Sequence, residues 1–496
     1  MLSEMSSVIL DKLAKRKLQI MNFLFNETID SISLTLLCEK FDYTYPTIQT
    51  LTNDLQHDFE AIGFFDFCIE KGKIIWCPER YPWRTYQQFL IRQSIPYRWL
   101  KATLLFPEKK VVAFCQENFV SRTTLARKMK PLSIFLATFD IRLSLTKMQL
   151  LSKNEASIRI IYINYLWLGS FGEELTQSNR LASKEQQILE NEQLTHLNFI
   201  HPKEVTLFFV VARLRATAGF YLREAPFKKL ILPDSISTLS NYVCSFINDP
   251  TQVERHVEFL GFLIYYYPYF VDEADERIPF IYKYFQSISQ TAHPFTELVY
   301  ELLNYMTERS KLRSLNQRED RLLKMNLFKT FLNFSVFKET PFPSVDLTLS
   351  NVLQDSTEKN LLADEIESFL KKVCRRKNFD WLKNQRRKIA YTLATTIFPF
   401  YSTQQTPVSI NVTVVPIPDY LAMKEIKDYL ENLKFVNYSP FSTDLKEIDV
   451  CIASSEKLLT DFSAPASFII PFEHSDFYKS RLFDHLLAVH TKKKFG

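Results

Sequence analysis

Apolar residues recur through positions 7–27 with the three-to-four spacing of one helical face. The same spacing returns at 33–40 and again from Thr44 to about Phe59. Phe41-Asp42-Tyr43 reads as a tight turn between the second and third of these helices. Thr44 stands where a cap belongs, and Pro46 falls in the first turn, where a helix tolerates it. Leu51 and Leu55 form an inward i, i+4 pair. Two short apolar runs follow at 64–69 and 74–77, split by Glu70-Lys71-Gly72-Lys73. Three helices and a hairpin predict a winged helix over residues 1–78.

The pattern repeats over residues 79–154. Positions 86–105 are helical with a break at Pro96, 109–117 form a short helix, and Asn118-Phe119-Val120 is a turn. Ser121 is then placed to cap a new helix, with Thr124 three residues on and Leu125 and Met129 facing inward. Pro131 is expected to kink this helix ahead of 132–139. Residues 141–144 and 148–151 predict a wing. Arg122, Thr123, Arg127, Lys128 and Lys130 are side-chain types that reach phosphates and base edges, so this helix has the features of a recognition helix. Ser121 and Thr124 complete the candidate DNA-binding set. In the first winged helix, Thr47 and Gln49, with Tyr43, Tyr45 and Asn53, are candidate DNA contacts. A packing or dimer role for that unit is an equal alternative.

From 155 to about 400 the pattern is helix after helix. Segments at 158–168, 202–215, 236–247, 252–266 and 278–289 make one all-helical domain, residues 155–290. Segments at 295–307, 317–338, 363–376 and 382–398 make another, residues 291–402. A loop is expected at 340–355 and a polar linker at 403–407. The tail, 408–496, alternates strand and helix: strands at 410–415, 448–453 and 467–470, helices at 420–432 and 477–490. That order predicts a small α/β domain with a parallel sheet. The expected fold class is therefore mainly α and multidomain: tandem winged helix-turn-helix units, two helical bundles and a small C-terminal α/β domain.

Composition narrows the chemistry. Only 7 glycines occur in 496 residues, and neither GxGxxG nor GxxxxGK[ST] is present, so the common loop cradles for nucleotides are absent. Seven scattered cysteines without a CxxC pair fit reduced thiols better than disulfides or a metal site. No signal-peptide pattern opens the chain, and no apolar run reaches membrane-spanning length. The expectation is a cytoplasmic protein with no membrane partner. Charge is uneven. Residues 76–150 hold 13 Lys and Arg against 4 Asp and Glu, a surplus of nine. Residues 1–75 hold 7 against 11, and residues 151–496 hold 41 of each. The net +5 therefore originates around the predicted recognition helix, which is the footprint a DNA-binding module needs.

No HExxH, GxSxG or Cys/His zinc spacing is present, so no catalytic residue, metal or cofactor is expected and the chain does not read as an enzyme. Residues 371–388 carry nine basic residues against Asp380. They suit either a solvated helix pair or a surface that reads phosphate.

In this order of parts the chain resembles the Mga/AtxA family of virulence regulators from Gram-positive bacteria. The sharpest resemblance lies in the stretch from Val120 to Lys130, VSRTTLARKMK, followed by Phe139-Asp-Ile-Arg-Leu-Ser144. These are similar to the family's S-x-x-T-L turn and the F-x-I-x-L approach to its wing. The resemblance implies that the helical domains are phosphotransferase-system regulation domains and that the tail is like a sugar-transporter IIB subunit. It further implies control by the phosphocarrier HPr, with His201, His256 and His293 as phosphorylation candidates, and a homodimer or higher homo-oligomer on double-stranded DNA. A working IIB subunit carries a cysteine just after its first strand. Val415-Pro-Ile-Pro-Asp419 has none here, so the tail suits dimerisation or sensing rather than phosphoryl transfer. Three rivals stay open at this stage. One is a protein-interaction scaffold whose winged helices do not touch DNA. Another is an RNA-binding antiterminator, although the helical opening segment does not match the small sheet domain with which those begin. The third is an enzyme using the tail α/β domain, against which the missing cysteine and glycine loops count.

Overall fold

The first amphipathic stretch is two helices, α1 (Glu4–Ile9) and α2 (Lys12–Asn26). Asp11 divides them: its Oδ1 accepts the Ala14 N–H at 3.1 Å and so starts a fresh helix. Strand β1 (Ser31–Ser33), α3 (Leu34–Phe41), α4 (Tyr45–Ala61), β2 (Phe67–Glu70) and β3 (Lys73–Trp76) follow. The strands form an antiparallel sheet in the order β1-β3-β2. Lys71 and Gly72 both take positive φ at the β2–β3 turn, the backbone that matches the twist of a two-residue hairpin. Ser33 caps α3 by accepting the Leu36 N–H.

The computed structural model describes residues 4–26, 31–76, 83–176, 182–191, 200–223, 236–266, 269–271, 273–291, 293–309, 311–337, 357–383, 385–401, 409–416, 420–441, 448–455, 458–459, 466–470 and 477–495. The expected loop at 340–355, the linker at 403–407 and most of 415–419 lie outside these. The described chain is mainly helical and divides into two compact units, Met1–Phe400 and Tyr401–Gly496.

Within the first unit, α5 (Trp83–Gln93) and α6 (Ile95–Leu105) break at Ser94, which caps α6 with Pro96 in its first turn. Then come α7 (Val111–Glu117), α8 (Arg122–Ala137) and the hairpin β4 (Arg142–Ser144) with β5 (Gln149–Leu151). Helix α9 (Glu155–Ser170) is buried on nearly every face and is the spine of the unit. Around it run α10 (Glu173–Thr176), α11 (Ser183–Asn191), α12 (Pro202–Thr217), α13 (Ile236–Cys244) and α14 (Pro250–Gly261), the last continuing as a π-helical turn, Phe262–Tyr266. Next are α15 (Arg277–Ser289), α16 (Pro294–Glu308), α17 (Gln317–Phe337), α18 (Thr357–Val373) and α19 (Arg386–Ile397).

The second unit is a four-stranded, all-parallel sheet of β6 (Ile410–Val414), β7 (Val436–Tyr438), β8 (Val450–Ala453) and β9 (Ala466–Ile469), in the order β7-β6-β8-β9. Helix α20 (Tyr420–Glu431) makes the crossover from β6 to β7, and α21 (Phe477–Phe495) ends the chain's described part. Ile410, Val412, Val450 and Ile452 form its core with Leu430, Leu482 and Leu486. Cys451 is fully buried on β8, and burial pushes its thiol up, away from the reactive thiolate.

Candidate nucleic-acid interface

The α3–α4 and α7–α8 helix pairs share one backbone geometry. Asp42 (φ +53°) ends α3 and Phe119 (φ +52°) ends α7, each in the left-handed region and each two residues ahead of an extended cap residue. Those cap residues are Thr44 (φ −68°, ψ 150°) and Ser121 (φ −73°, ψ 158°). The side chains differ. Ser121 Oγ accepts the Thr124 N–H at 3.0 Å, a capping bond of about 1 kcal/mol. Thr44 makes no side-chain cap bond; its hydroxyl pairs with Thr47 Oγ1 at 2.8 Å instead.

Helix α8 is positioned by a buried stripe: Leu125, Met129, Leu132, Phe135 and Leu136. The helix does not end at Pro131 but runs on through it to Ala137. The energies explain this. An interior proline costs about 3 kcal/mol. Five buried apolar side chains return about 1.5–3 kcal/mol each. The opposite face carries Arg122, Thr123, Arg127 and Lys130, all exposed. Thr124 is half-buried beside the cap. Lys128 is not free on that face: its ammonium pairs with Asp11 Oδ2 at 3.3 Å, tying α8 to the α1–α2 junction. Burial raises the Asp11 carboxyl, but the Ala14 N–H and the Lys128 ammonium outweigh it and hold Asp11 below its ordinary value. Lys147, exposed between β4 and β5, adds a wing cation absent from the sequence-predicted set. Its only signal in the sequence was its place between two predicted wing strands.

On α4, Gln49 is exposed and Thr47 half-buried. Tyr43 is occupied by stacking on Phe41 and by Arg16 over its ring at 4.9 Å. Asp58 of α4 faces inward: Lys17 Nζ meets it at 2.6 Å, and the Tyr86 hydroxyl donates to the same carboxylate at 2.7 Å. Those bonds fasten α4 to α2 and α5.

The three histidines fall into two settings. His201 and His293 are N-cap residues of α12 and α16, each followed by proline. Their Nδ1 atoms accept the Lys203 and Phe295 N–H groups at 3.2 and 3.4 Å. His201 is exposed. His293 is half-buried, and burial lowers its pKa against the opposing pull of Glu297. His256 is 0% exposed. Its Nδ1 donates to the Gln252 carbonyl and its Nε2 accepts from Arg159 Nη2, both at 2.8 Å, so neither ring nitrogen is open to a phosphoryl donor. Burial and then Arg159 drive its pKa down to about 3. His256 belongs to a buried cluster in which Glu155 binds Arg159 and Arg215 together.

The basic stretch 371–388 is paired in part. Arg376 meets Glu301 at 2.7 Å, and Arg387 bonds Asp364 and Glu367. Lys388 lies 5.2 Å over the Phe139 ring, just beyond α8. Among the described residues, no group of His, Cys, Asp and Glu is arranged to hold a metal, and no helix is long and apolar enough to cross a membrane.

Residues 83–166, which span α5 to most of α9, match the family model of the Mga helix-turn-helix domain. The match supports the Mga family and indicates a DNA-binding transcription regulator. No curated protein matches the chain.

Proposed function

We propose that this protein is a cytoplasmic, non-enzymatic transcription regulator that binds duplex DNA with α8. One observation carries the reading: a helix capped at Ser121 and held by a buried stripe presents Arg122, Thr123, Arg127 and Lys130 outward, inside the segment that matches a DNA-binding domain. Arg127 and Lys130 contact DNA from the exposed face. Ser121 and the helix N-terminus hold a phosphate. Residues 31–76, two helices with a three-stranded antiparallel sheet, suit a winged helix that adds a second, weaker contact through Thr47 and Gln49. Arg122, Arg127 and Lys130 on α8, with Lys147 at the tip of the β4–β5 hairpin, predict a salt slope of about −3 to −4 for these four cations' share of binding. The test is a gel shift across a salt series. Arg127→Ala with Lys130→Ala lowers affinity and flattens the slope by about 2. Unchanged affinity and slope would remove α8 from the interface.

Finer features of the reading are a homodimer and phosphotransferase control. His201 and His293 suit the latter, because each uses Nδ1 as a cap acceptor while Nε2 makes no hydrogen bond among the described residues. A phosphoryl group would bring about two negative charges to each helix start. Incubation with HPr and its phosphoryl donor, followed by intact-mass measurement, tests this. Absence of label on wild type removes phosphocontrol while leaving DNA binding intact.

A further inference from the structure

A cleft of about 780 Å³ opens between the β4–β5 hairpin and the helical body. Arg142 comes from the hairpin, Lys153 from the segment after it, Arg215 from the last turn of α12 and Arg223 from the chain beyond. Ile158 and Phe220 contribute apolar surface to its lining. A volume of this size suits a small molecule.

The charge lining it is unbalanced. Four cations meet two acids, Asp140 and Glu155. Glu155 cannot neutralise the rim, because both its oxygens are already used. Oε1 accepts from Arg215 Nε at 2.8 Å and Arg159 Nε at 3.3 Å, and Oε2 accepts from Arg215 Nη2 at 2.8 Å. Two buried guanidiniums thus share one carboxylate, and the adjoining His256 is held neutral. Arg159 Nη1 is buried without a hydrogen-bond partner among the described residues. On the rim, Arg142, Lys153 and Arg223 make no ion pair among the described residues. A buried cluster carrying one surplus positive charge, behind three cations with no ion pair among the described residues, favours a dianion in the cleft.

We propose that this cleft binds a small phosphorylated metabolite. Arg142, Lys153 and Arg223 grip the phosphate, and Ile158 and Phe220 face the carbon skeleton. Guanidiniums converging on one concave site favour phosphate through paired N–H donors. A DNA backbone would instead meet cations on an open surface, without an apolar lining. The ligand would staple the hairpin next to α8 to the helical body, and so set the position of the wing. The binding step stands apart from the DNA-binding reading; only its effect on DNA rests on that reading.

The test is calorimetry on the full chain with ribose 5-phosphate and inorganic pyrophosphate at constant ionic strength, with ribose and sulfate as controls. At least one phosphate probe should bind saturably with a Kd below about 1 mM. Arg142→Gln with Arg223→Gln should weaken it about tenfold or more, while Lys147→Gln, outside the cleft, leaves it unchanged. Should the double variant fail to keep the wild-type far-UV spectrum, Lys153→Gln alone must show the weakening. No saturable binding of either probe, or equal binding by the variants, overturns the proposal. So does absent probe binding together with a DNA salt slope that the double variant flattens by about 2, which would make these cations DNA contacts.

Discussion

Removing the carboxylate of Glu155 tests the buried charge cluster directly. Glu155 opens α9 and is 8% exposed, while Arg159 and Arg215 are 0% and 2% exposed. Burial draws Arg159 down to about 10 even with Glu155 beside it. Burial also works against Arg215, but its two bonds to Glu155 outweigh this and hold it above the usual guanidinium value. Breaking a buried pair by removing one partner costs about 3–5 kcal/mol, because the remaining charge is left uncompensated. Here two charges are left. If roughly 400 residues melt together, the unfolding entropy is about 0.8 kcal/mol/K, and Glu155→Ala lowers the Tm by about 4–6 °C. Differential scanning fluorimetry at neutral pH reads this. The triple replacement of Glu155, Arg159 and Arg215 by methionine removes the charges together and should restore roughly half or more of the loss. A Glu155→Ala variant melting within about 1 °C of wild type would refute the argument that this carboxylate compensates the buried cations.

Three further outcomes follow from the geometry. His256 is neutral when folded and has its pKa lowered to about 3, so the unfolded chain binds the extra proton between about pH 6.5 and 3. Its contribution is fully present above pH 6.5 and is lost as pH falls, by about 2 kcal/mol at pH 5; denaturant midpoints of wild type and His256→Gln across that window should differ in slope. Gly169→Ala places a Cβ within 2.4–2.6 Å of the Tyr97 ring, which is 1% exposed and whose hydroxyl donates to Glu174, so a thermal melt should show a loss of about 1–3 kcal/mol. Asp11→Ala frees Lys128 and removes a cap, so it should cost about 1 kcal/mol of stability while steepening the DNA salt slope by about 1 in a gel shift.

What the sequence revealed was local, and what it hid was set by distant neighbours. The Ser121 cap, the Asp42 and Phe119 turns and the inward Leu125 and Met129 each follow from residues within one or two turns of one another. Strands β1 (Ser31-Ile32-Ser33) and β7 (Val436-Asn437-Tyr438) went unnoticed because each is three residues long and, unlike β4 and β5, pairs with a strand distant in sequence. The pairing of Lys128 joins residues 117 apart in sequence, and the link from Arg159 to His256 joins residues 97 apart. His256 sits on a helix whose neighbours Glu254 and Arg255 are polar, and only the packing of α14 against α9 and α12 reveals it as interior. The partners of the basic stretch 371–388 were hidden for the same reason. Its acids, Glu301, Asp364 and Glu367, come from outside the stretch.

Helix α9 is where the helical body can act on α8, and its contacts set the terms. At its start the Asn154 side chain accepts the Ala156 and Ser157 N–H groups and donates to the Val336 carbonyl at 2.8 Å, while Ser157 donates to the Phe337 carbonyl. The end of α17 is thereby tied to the start of α9. Further along, Tyr162 meets Thr103 of α6 at 3.0 Å, and Gly169 lies against Tyr97 of the same helix. Helix α6 in turn packs on α8. Close-packed interiors pass a displacement on rather than absorb it, so a shift of α17 must reach α8 through α9 and α6. Asn154→Ala cuts the first link and should cost about 1–2 kcal/mol. Hydrogen exchange should then quicken at 156–160 and 334–337 and, if the chain of packing carries the signal, at 122–137 as well. Faster exchange at the first two segments with 122–137 unchanged would show that α8 is insulated from the helical body.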